Sequence, residues 1–222
     1  MNHLAGGEML GKRFWIAALC VVVTILAVSA AAQDEKNEIG GIFGRTFISD
    51  QGIKPGNFYD PTVHFGKGFS MEAEYARRFL VTPIYSLSAE VPFMYNHDID
   101  LNAGTFGSAV VPFDLKAYFV TPAARVNFFP TTAVSPWVSL GAGFGHFSES
   151  KTLVYGGANP GKSTTGFAMQ GGLGLDVKVW RNLSIRGEVR DFWSGEPDFP
   201  LANTGKSRQH NYFVGGGAFW RF

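Results

Sequence analysis

The chain has 222 residues, with 19 Lys and Arg against 18 Asp and Glu, a formal net charge of +1. That length suits one domain, and the near-neutral balance argues against a nucleic-acid partner, which needs a strongly basic face. Glycine is abundant at 28 residues and aromatics make up 15%; the glycines fall inside alternating apolar stretches, a mixture that suits closely packed strands with aromatic rims.

At the N-terminus Lys12 and Arg13 precede an apolar run from Phe14 to Val28, then Ser29-Ala30-Ala31-Ala32 and the polar Gln33-Asp34-Glu35-Lys36. This basic, apolar and small-residue order is that of a secretory signal cut after Ala32. The run is short for a membrane-spanning helix. Met9 serves as a start as well as Met1, because nothing before it is needed by a signal. The only cysteine, Cys20, lies inside the run, with more apolar residues after it than a lipoprotein signal leaves. The expected division is residues 1–32 as a cleaved signal peptide and 33–222 as one exported domain, with no thiol, disulfide or cysteine metal site. Losing Lys12, Arg13 and Glu8 with the signal balances the charges of that domain.

Eight alternating segments follow, near residues 38–48, 67–78, 83–93, 116–128, 134–147, 165–179, 183–192 and 211–222. Period-two alternation predicts strands with one apolar face. The second and third, fourth and fifth, and sixth and seventh are joined by short turns at Phe79 to Thr82, Phe129 to Ala133 and Trp180 to Asn182, and the other connectors are long and rich in Gly, Pro, Asn and Asp. Short turns at one end, long loops at the other and an even strand number are the plan of an outer-membrane β-barrel.

Face by face, the fifth segment sets Val138, Leu140, Ala142 and Phe144 against Ser139, Gly141, Gly143 and Gly145. The seventh sets Leu183, Ile185, Gly187 and Val189 against Ser184, Arg186, Glu188 and Arg190. Alternation alone does not separate a soluble barrel, apolar inside, from a membrane barrel, apolar outside. The charged run at Arg186, Glu188 and Arg190, and tryptophans at the strand ends (Trp180, Trp193, Trp220), favour the membrane. Parity then sends Glu72, Glu74, Glu90, Asp176 and Glu188 into the lumen, with Arg125, Lys178, Arg186, Arg190 and Arg221. In a bore only wide enough for side chains these are expected to pair into a plug centred on Arg125, Arg186, Glu188 and the acids of the second and third strands.

The last segment carries the most specific pattern: Tyr212, Val214, Gly216, Ala218, Trp220 and Phe222 share a face, and the sequence ends on an aromatic residue. This resembles the C-terminal assembly signal of outer-membrane barrels, and residues 33–222 resemble the small eight-stranded barrels typified by the outer membrane protein A transmembrane domain and outer membrane protein X. The resemblance implies an all-β, eight-stranded antiparallel transmembrane barrel, monomeric, inserted by the barrel assembly machinery. Its neighbours would be outer-membrane lipid and lipopolysaccharide, with no cofactor and no metal. Since the sequence stops with the barrel, no periplasmic peptidoglycan-binding domain is expected. The implied role is structural or interactive, through four surface loops, and not enzymatic; a narrow channel is a further alternative, limited by the bore of eight strands.

Three other motifs need weighing. Gly156-Gly157-Ala158-Asn159-Pro160-Gly161-Lys162-Ser163 fits the phosphate-loop pattern, but Thr164 to Val179 alternates as a strand where that loop needs a helix, so a surface loop and no nucleotide are expected. His146-Phe147-Ser148 offers the sharper enzymatic alternative. Outer-membrane lipid A deacylases resemble this chain in architecture and carry a His-x-Ser pair on the outer face, Ser as nucleophile and His as base. Here Glu149-Ser150 replaces that family's following Asn-Ala, and no acid is expected beside the imidazole. Finally, His64, His97 and His210 fall in different long loops, with Asp60, Asp98 and Asp100 near, and are expected to be solvated. Phe192, Trp193 and the segment Pro197 to Pro200 give the last loop an aromatic, proline-stiffened character.

Overall fold

The computed structural model describes residues 36–52, 62–65, 67–98, 102–103, 112–160, 163–195 and 208–222. The expected signal segment 1–32, Asp60, Asp100, Lys162 and Pro197 to Pro200 lie outside them. One body runs from Asn37 to Arg221.

Its wall is made of β1 (Asn37–Ile48), β4 (Lys67–Val81), β5 (Tyr85–Asp98), the consecutive pieces β7 (Leu115–Val120) and β8 (Ala123–Phe128), β9 (Val134–Glu149), β10 (Ser163–Lys178), β11 (Leu183–Gly195) and β12 (Arg208–Arg221). Every pairing is antiparallel. β12 pairs β1, β1 pairs β4 and β4 pairs β5; β5 pairs both β7 and β8, which both pair β9, and β9 pairs β10. The chain of pairings through β10, β11 and β12 closes the sheet on itself. With β7 and β8 counted as one broken strand, this is a closed eight-stranded antiparallel barrel, and closure leaves no unpaired edge for lipid to meet.

The differences from the sequence expectation have local causes. The expected fourth strand, 116–128, is interrupted at Thr121-Pro122, because proline has no N–H to give the ladder; its carbonyl still accepts from the Ala142 N–H at 3.1 Å, which holds the wall together. β5 and β11 run on to Asp98 and Gly195, past the apolar alternation, since backbone pairing continues where the outer face passes from lipid to water; β4 runs on to Val81 through a register shift between Arg78 and Leu80, which breaks the alternation. β12 ends at Arg221, one residue before Phe222. Between β1 and β4, and between β5 and β7, lie short strands absent from the sequence reading: β2 (Gln51–Gly52), β3 (Thr62–His64) and β6 (Asn102–Ala103), joined as a small sheet. Strands of two or three residues carry no periodicity by which to recognise them.

The faces settle which way the barrel is turned. Leu140 is 75% exposed, and Phe43, Phe144, Leu173, Ile185 and Val214 are also exposed on the outer wall, whereas Arg125, Arg186 and Arg190 are fully buried inside. A soluble barrel has the opposite sense; an apolar exterior around a charged interior is a membrane barrel.

The lumen as candidate functional site

The lower half of the bore is an ion-pair network. Glu38 Oε1 accepts from Arg125 Nη2 and Arg186 Nη2, both at 2.7 Å, and its Oε2 accepts from Arg221 Nε at 2.8 Å. Glu74 Oε1 accepts from Arg125 Nη1 at 2.7 Å and Arg186 Nη1 at 2.8 Å, and its Oε2 from Arg190 Nη2 at 2.5 Å. Arg186 also donates to Asp176 at 2.6 Å, and Arg190 to Glu188 at 2.7 Å and Glu90 at 2.8 Å. Bidentate guanidinium geometry suits such bridging. Trp137, also buried, lies among the cations, with the Arg186 and Arg190 guanidinium carbons 5.1 and 5.2 Å from its ring centroid.

Of the ten expected lumen charges, nine face inward and buried: Glu72, Glu74, Glu90, Arg125, Asp176, Arg186, Glu188, Arg190 and Arg221. Lys178 does not; it closes β10 at the periplasmic end and is exposed, because strand parity continues past the bore. Glu38, which joins three arginines, was missed by sequence reasoning. It sits at the very start of β1, and the next large side chain of its parity is the apolar Ile42, which hides the polar face; the even spacing of Glu38 from Ile42 was the available signal. Among the described residues Glu72 makes no hydrogen bond, and its nearest cation contact there is Arg190 Nε at 3.4 Å. Glu72, Glu74 and Glu188 offer oxygens within 4.8 Å of one another, but the arginines already engage Glu74 and Glu188, so the cluster reads as part of the ion-pair network.

Above the charges lies a layer that the sequence reading lacked. Ile42, Met94, Phe119, Phe147, Phe192 and Phe213 are buried together inside the barrel, with Val63 of β3 in the same cluster and Val154 packed against it. Phe119 and Phe192 stack with centroids 4.9 Å apart, and Phe147 meets Phe119 edge-on at 5.7 Å, geometries that aromatic quadrupoles favour. Phe192 is therefore a lumen residue and no part of the last loop. Inward glycines make room for these rings: a Cβ at Gly145 would stand 2.8 Å from the Phe119 ring, and one at Gly174 2.6 Å from that of Trp137.

The remaining candidates lie on the outer face or in loops. His146 and Ser148 are directed outward, beside Phe144 in strand parity. Across the ladder His146 faces Tyr118 and Thr165, and Ser148 faces Lys116 and Ser163. His146 Nδ1 lies 2.7 Å from Thr165 Oγ1, so the imidazole is oriented by a hydroxyl in the position where a hydrolase would hold a carboxylate. His64, His97 and His210 meet three different acids: Asp50 at 2.9 Å, Asp114 at 3.5 Å and Asp191 at 2.7 Å. In the phosphate-loop lookalike, Gly156 and Gly157 take the left-handed conformation, with φ 85° and 107°, in a tight turn where Gly156 N–H bonds Leu153 O at 3.0 Å. A strand, β10, begins at Ser163 in place of a helix. On β12, Tyr212, Val214 and Trp220 are exposed on the outer wall.

A lipid-facing apolar wall, a closed sheet and a filled, charged bore define a transmembrane β-barrel of the outer-membrane class. The chain belongs to the outer membrane protein beta-barrel domain family, whose model matches residues 18–222; its place is the bacterial outer membrane. The fold is similar to that of Neisserial surface protein A, NspA, at a TM-score of 0.58 and 13% identity, over 84% of this chain and 97% of that one. It is likewise similar to OprG of Pseudomonas aeruginosa, at 0.54 and 13%, over 84% and 96%. A looser likeness to the outer membrane enzyme PagL, at 0.41 and 13% over 81% and 97%, carries no argument about catalysis. No curated protein matches the sequence.

Proposed function

We propose that this protein is a sealed, non-enzymatic outer-membrane barrel that acts at the cell surface, as a structural or interacting element, through its extracellular loops. In this reading it is exported by residues 1–32, assembles through its terminal strand (Tyr212, Val214, Trp220 and Phe222) and works as a monomer without cofactor. The observation that carries the reading is the double filling of the bore, Arg125, Arg186 and Arg190 bound to acids from several strands beneath a stacked layer of Phe119, Phe147, Phe192 and Phe213. An ion would have to break buried pairs and then cross an apolar constriction.

The test uses the refolded domain in two assays. In planar bilayers the expected result is no steady conductance; large, stable single-channel currents would make it a channel. With acyl-labelled lipopolysaccharide the expected result is no fatty-acid release. Release that disappears in His146→Ala and Ser148→Ala would replace the proposal with the deacylase-like hydrolase.

A further inference from the structure

Following cross-strand partners once round the wall, from Arg221 through Glu38, Glu90 and Gly141, leads back to β12 at Asn211, ten residues nearer the extracellular end. Ten residues over eight strands shift each level by a little more than one residue per strand. On that count the inward side chains level with Asn211 are Thr46 of β1, Asn96 of β5 and Ser194 of β11, and across the bore Ala117 of β7, Gly145 of β9 and Ala168 of β10. One wall of the upper lumen is thus uncharged and hydrogen-bonding, the other is made of small residues, and the stacked rings of Phe119 and Phe192 lie beneath.

The polar wall does not satisfy itself. Ser70 Oγ donates to Asn96 Oδ1 at 2.9 Å, and Asn211 Nδ2 donates to the Phe192 carbonyl at 3.0 Å, which fixes the direction of both amides. Among the described residues Asn96 Nδ2 and Asn211 Oδ1 then have no hydrogen bond. Gln209, one inward step above Asn211 and 0% exposed, has a partner for neither Oε1 nor Nε2. Buried amides are almost always paired, and an unpaired one costs more than the bond it fails to make.

Two donors and two acceptors on β5 and β12 therefore face the upper lumen. A hydroxyl group answers both kinds, whereas a carboxylate or phosphate only accepts and an ammonium only donates. Asp98, the inward acid one step above Asn96, is already engaged, so no described side chain at this level holds out a charge to a ligand. Gln209 Oε1 and Nε2 lie side by side in one plane, the complement of two neighbouring hydroxyls, one donating and one accepting. The aromatic stack beneath offers a surface to the apolar C–H face of a sugar ring. We propose that the extracellular end of the lumen binds one ring of a neutral saccharide, with Gln209 on a vicinal diol and Asn96 and Asn211 on further hydroxyls. Val63 of β3 belongs to the same buried cluster as Ala117 and Ala168, so β3 is the cover that the sugar displaces on entry. The inference deepens the surface-interaction reading and rests on it.

The experiment titrates the folded barrel by calorimetry, in a detergent without a sugar head group, with glucose, galactose, mannose and N-acetylglucosamine. Per-O-methylated glucose, which keeps the ring and loses every donor, and glucuronate, which adds a charge, are the controls. Heat-dependent gel mobility certifies the fold of each variant. At least one neutral sugar is expected to bind, and neither control. Gln209→Met is expected to weaken that sugar by roughly tenfold or more, while Ser184→Ala, at the periplasmic end, leaves it unchanged. Without sugar, Gln209→Met should keep or raise the urea midpoint, because it takes away an amide that has no partner; added sugar should raise the midpoint of the unmodified protein alone. Binding of none of the four sugars, equal binding by Gln209→Met, equal binding of either control, or a midpoint lowered by Gln209→Met without sugar would overturn the proposal. Neutral oligosaccharides ending in the sugar that binds tell two sources apart: binding of both forms assigns the end of a surface glycan, binding of the single ring alone a free sugar, and each supports the site. Should Gln209→Met not fold, the unmodified protein carries the test through the methylated ring. Absence of sugar binding in a barrel that passes no current sinks this inference alone; steady conductance with sugar binding intact sinks only the sealed-barrel reading.

Discussion

Glu38 Oε1 accepts a hydrogen bond from Arg125 Nη2 at 2.7 Å, which ties β1 to β8 across the bore with β4 and β5 between them in the wall. Because Arg186 donates to the same oxygen at 2.7 Å, this one carboxylate joins three separate parts of the wall. Such a bond adds a cross-brace that the backbone ladder, which links only neighbours, does not supply.

Removing one member of the network is expected to cost far more than the bond it makes. Arg186→Ala leaves Glu38, Glu74 and Asp176 buried with a partner missing, and the expected loss is about 3–5 kcal/mol. Glu38→Ala belongs in the same range, because Arg125, Arg186 and Arg221 all lose an acceptor. Urea titration of the refolded barrel, followed by tryptophan fluorescence, measures both. A loss below about 1 kcal/mol would mean that water reaches the network and solvates the orphaned charges.

Glycines on the two faces are expected to behave differently. Gly174 faces inward, where an added Cβ would stand 2.6 Å from both the Trp137 ring and the Gly187 carbonyl oxygen. Gly174→Ala should overpack the bore and cost roughly 1–3 kcal/mol. Gly187 faces outward with nothing within 4 Å of the same position, so Gly187→Ala should leave the urea midpoint nearly unchanged. Equal effects at both sites would contradict the placement of Trp137 in the lumen.

The fold was legible because a membrane barrel writes its two faces in the simplest period a sequence has. Val138 against Ser139 and Ile185 against Arg186 show it directly, and turn length showed which strand ends meet. The lower lumen was legible for the same reason: a charge flanked by apolar neighbours at Arg186 or Glu74 has only one side to go to. The rule fails where the inward residue is itself apolar. Phe119, Phe147, Phe192 and Phe213 face the bore, yet hydropathy alone assigns them to lipid, and only a strict parity count along each strand recovers them. Glu38 was hidden by the reverse effect, with the inward Ile42 making its face look apolar. The lookalike motifs are decided by their surroundings and not by themselves. Phosphate-loop chemistry depends on a helix start and His-x-Ser chemistry on a neighbouring carboxylate, and neither requirement is written in the motif itself.

The aromatic layer yields a prediction separate from the charges. Phe192→Ala removes a ring stacked 4.9 Å from Phe119 and should cost about 3–5 kcal/mol if the space stays dry. Conductance should remain negligible, since the arginine network still fills the bore beneath. Only combining it with Arg186→Ala should produce measurable current. Bilayer recordings on the two single variants and the double separate the layers; a channel opened by Phe192→Ala alone would show that the ion pairs do not block passage.

The terminal strand is expected to act in assembly and not in final stability. β12 pairs with both β11 and β1 and so is the closing strand, and its outer face carries Tyr212, Val214 and Trp220. Apolar aromatic contacts on that face are what an insertion partner can grip before the ladder closes, and at the periplasmic end Trp220 also anchors the finished barrel at the interface. Trp220→Ser combined with deletion of Phe222 is therefore expected to lower the amount of heat-modifiable barrel recovered from the outer membrane several-fold. The same variant, refolded from urea into detergent without any insertion partner, should reach nearly normal yield. Lys162→Ala, between β9 and β10 in the sequence, should leave both yields unchanged and provides the control for expression. If the double change reduces detergent refolding as severely as it reduces recovery from cells, the aromatic residues act by holding the barrel together. If it reduces neither, the terminal pattern has no part in assembly.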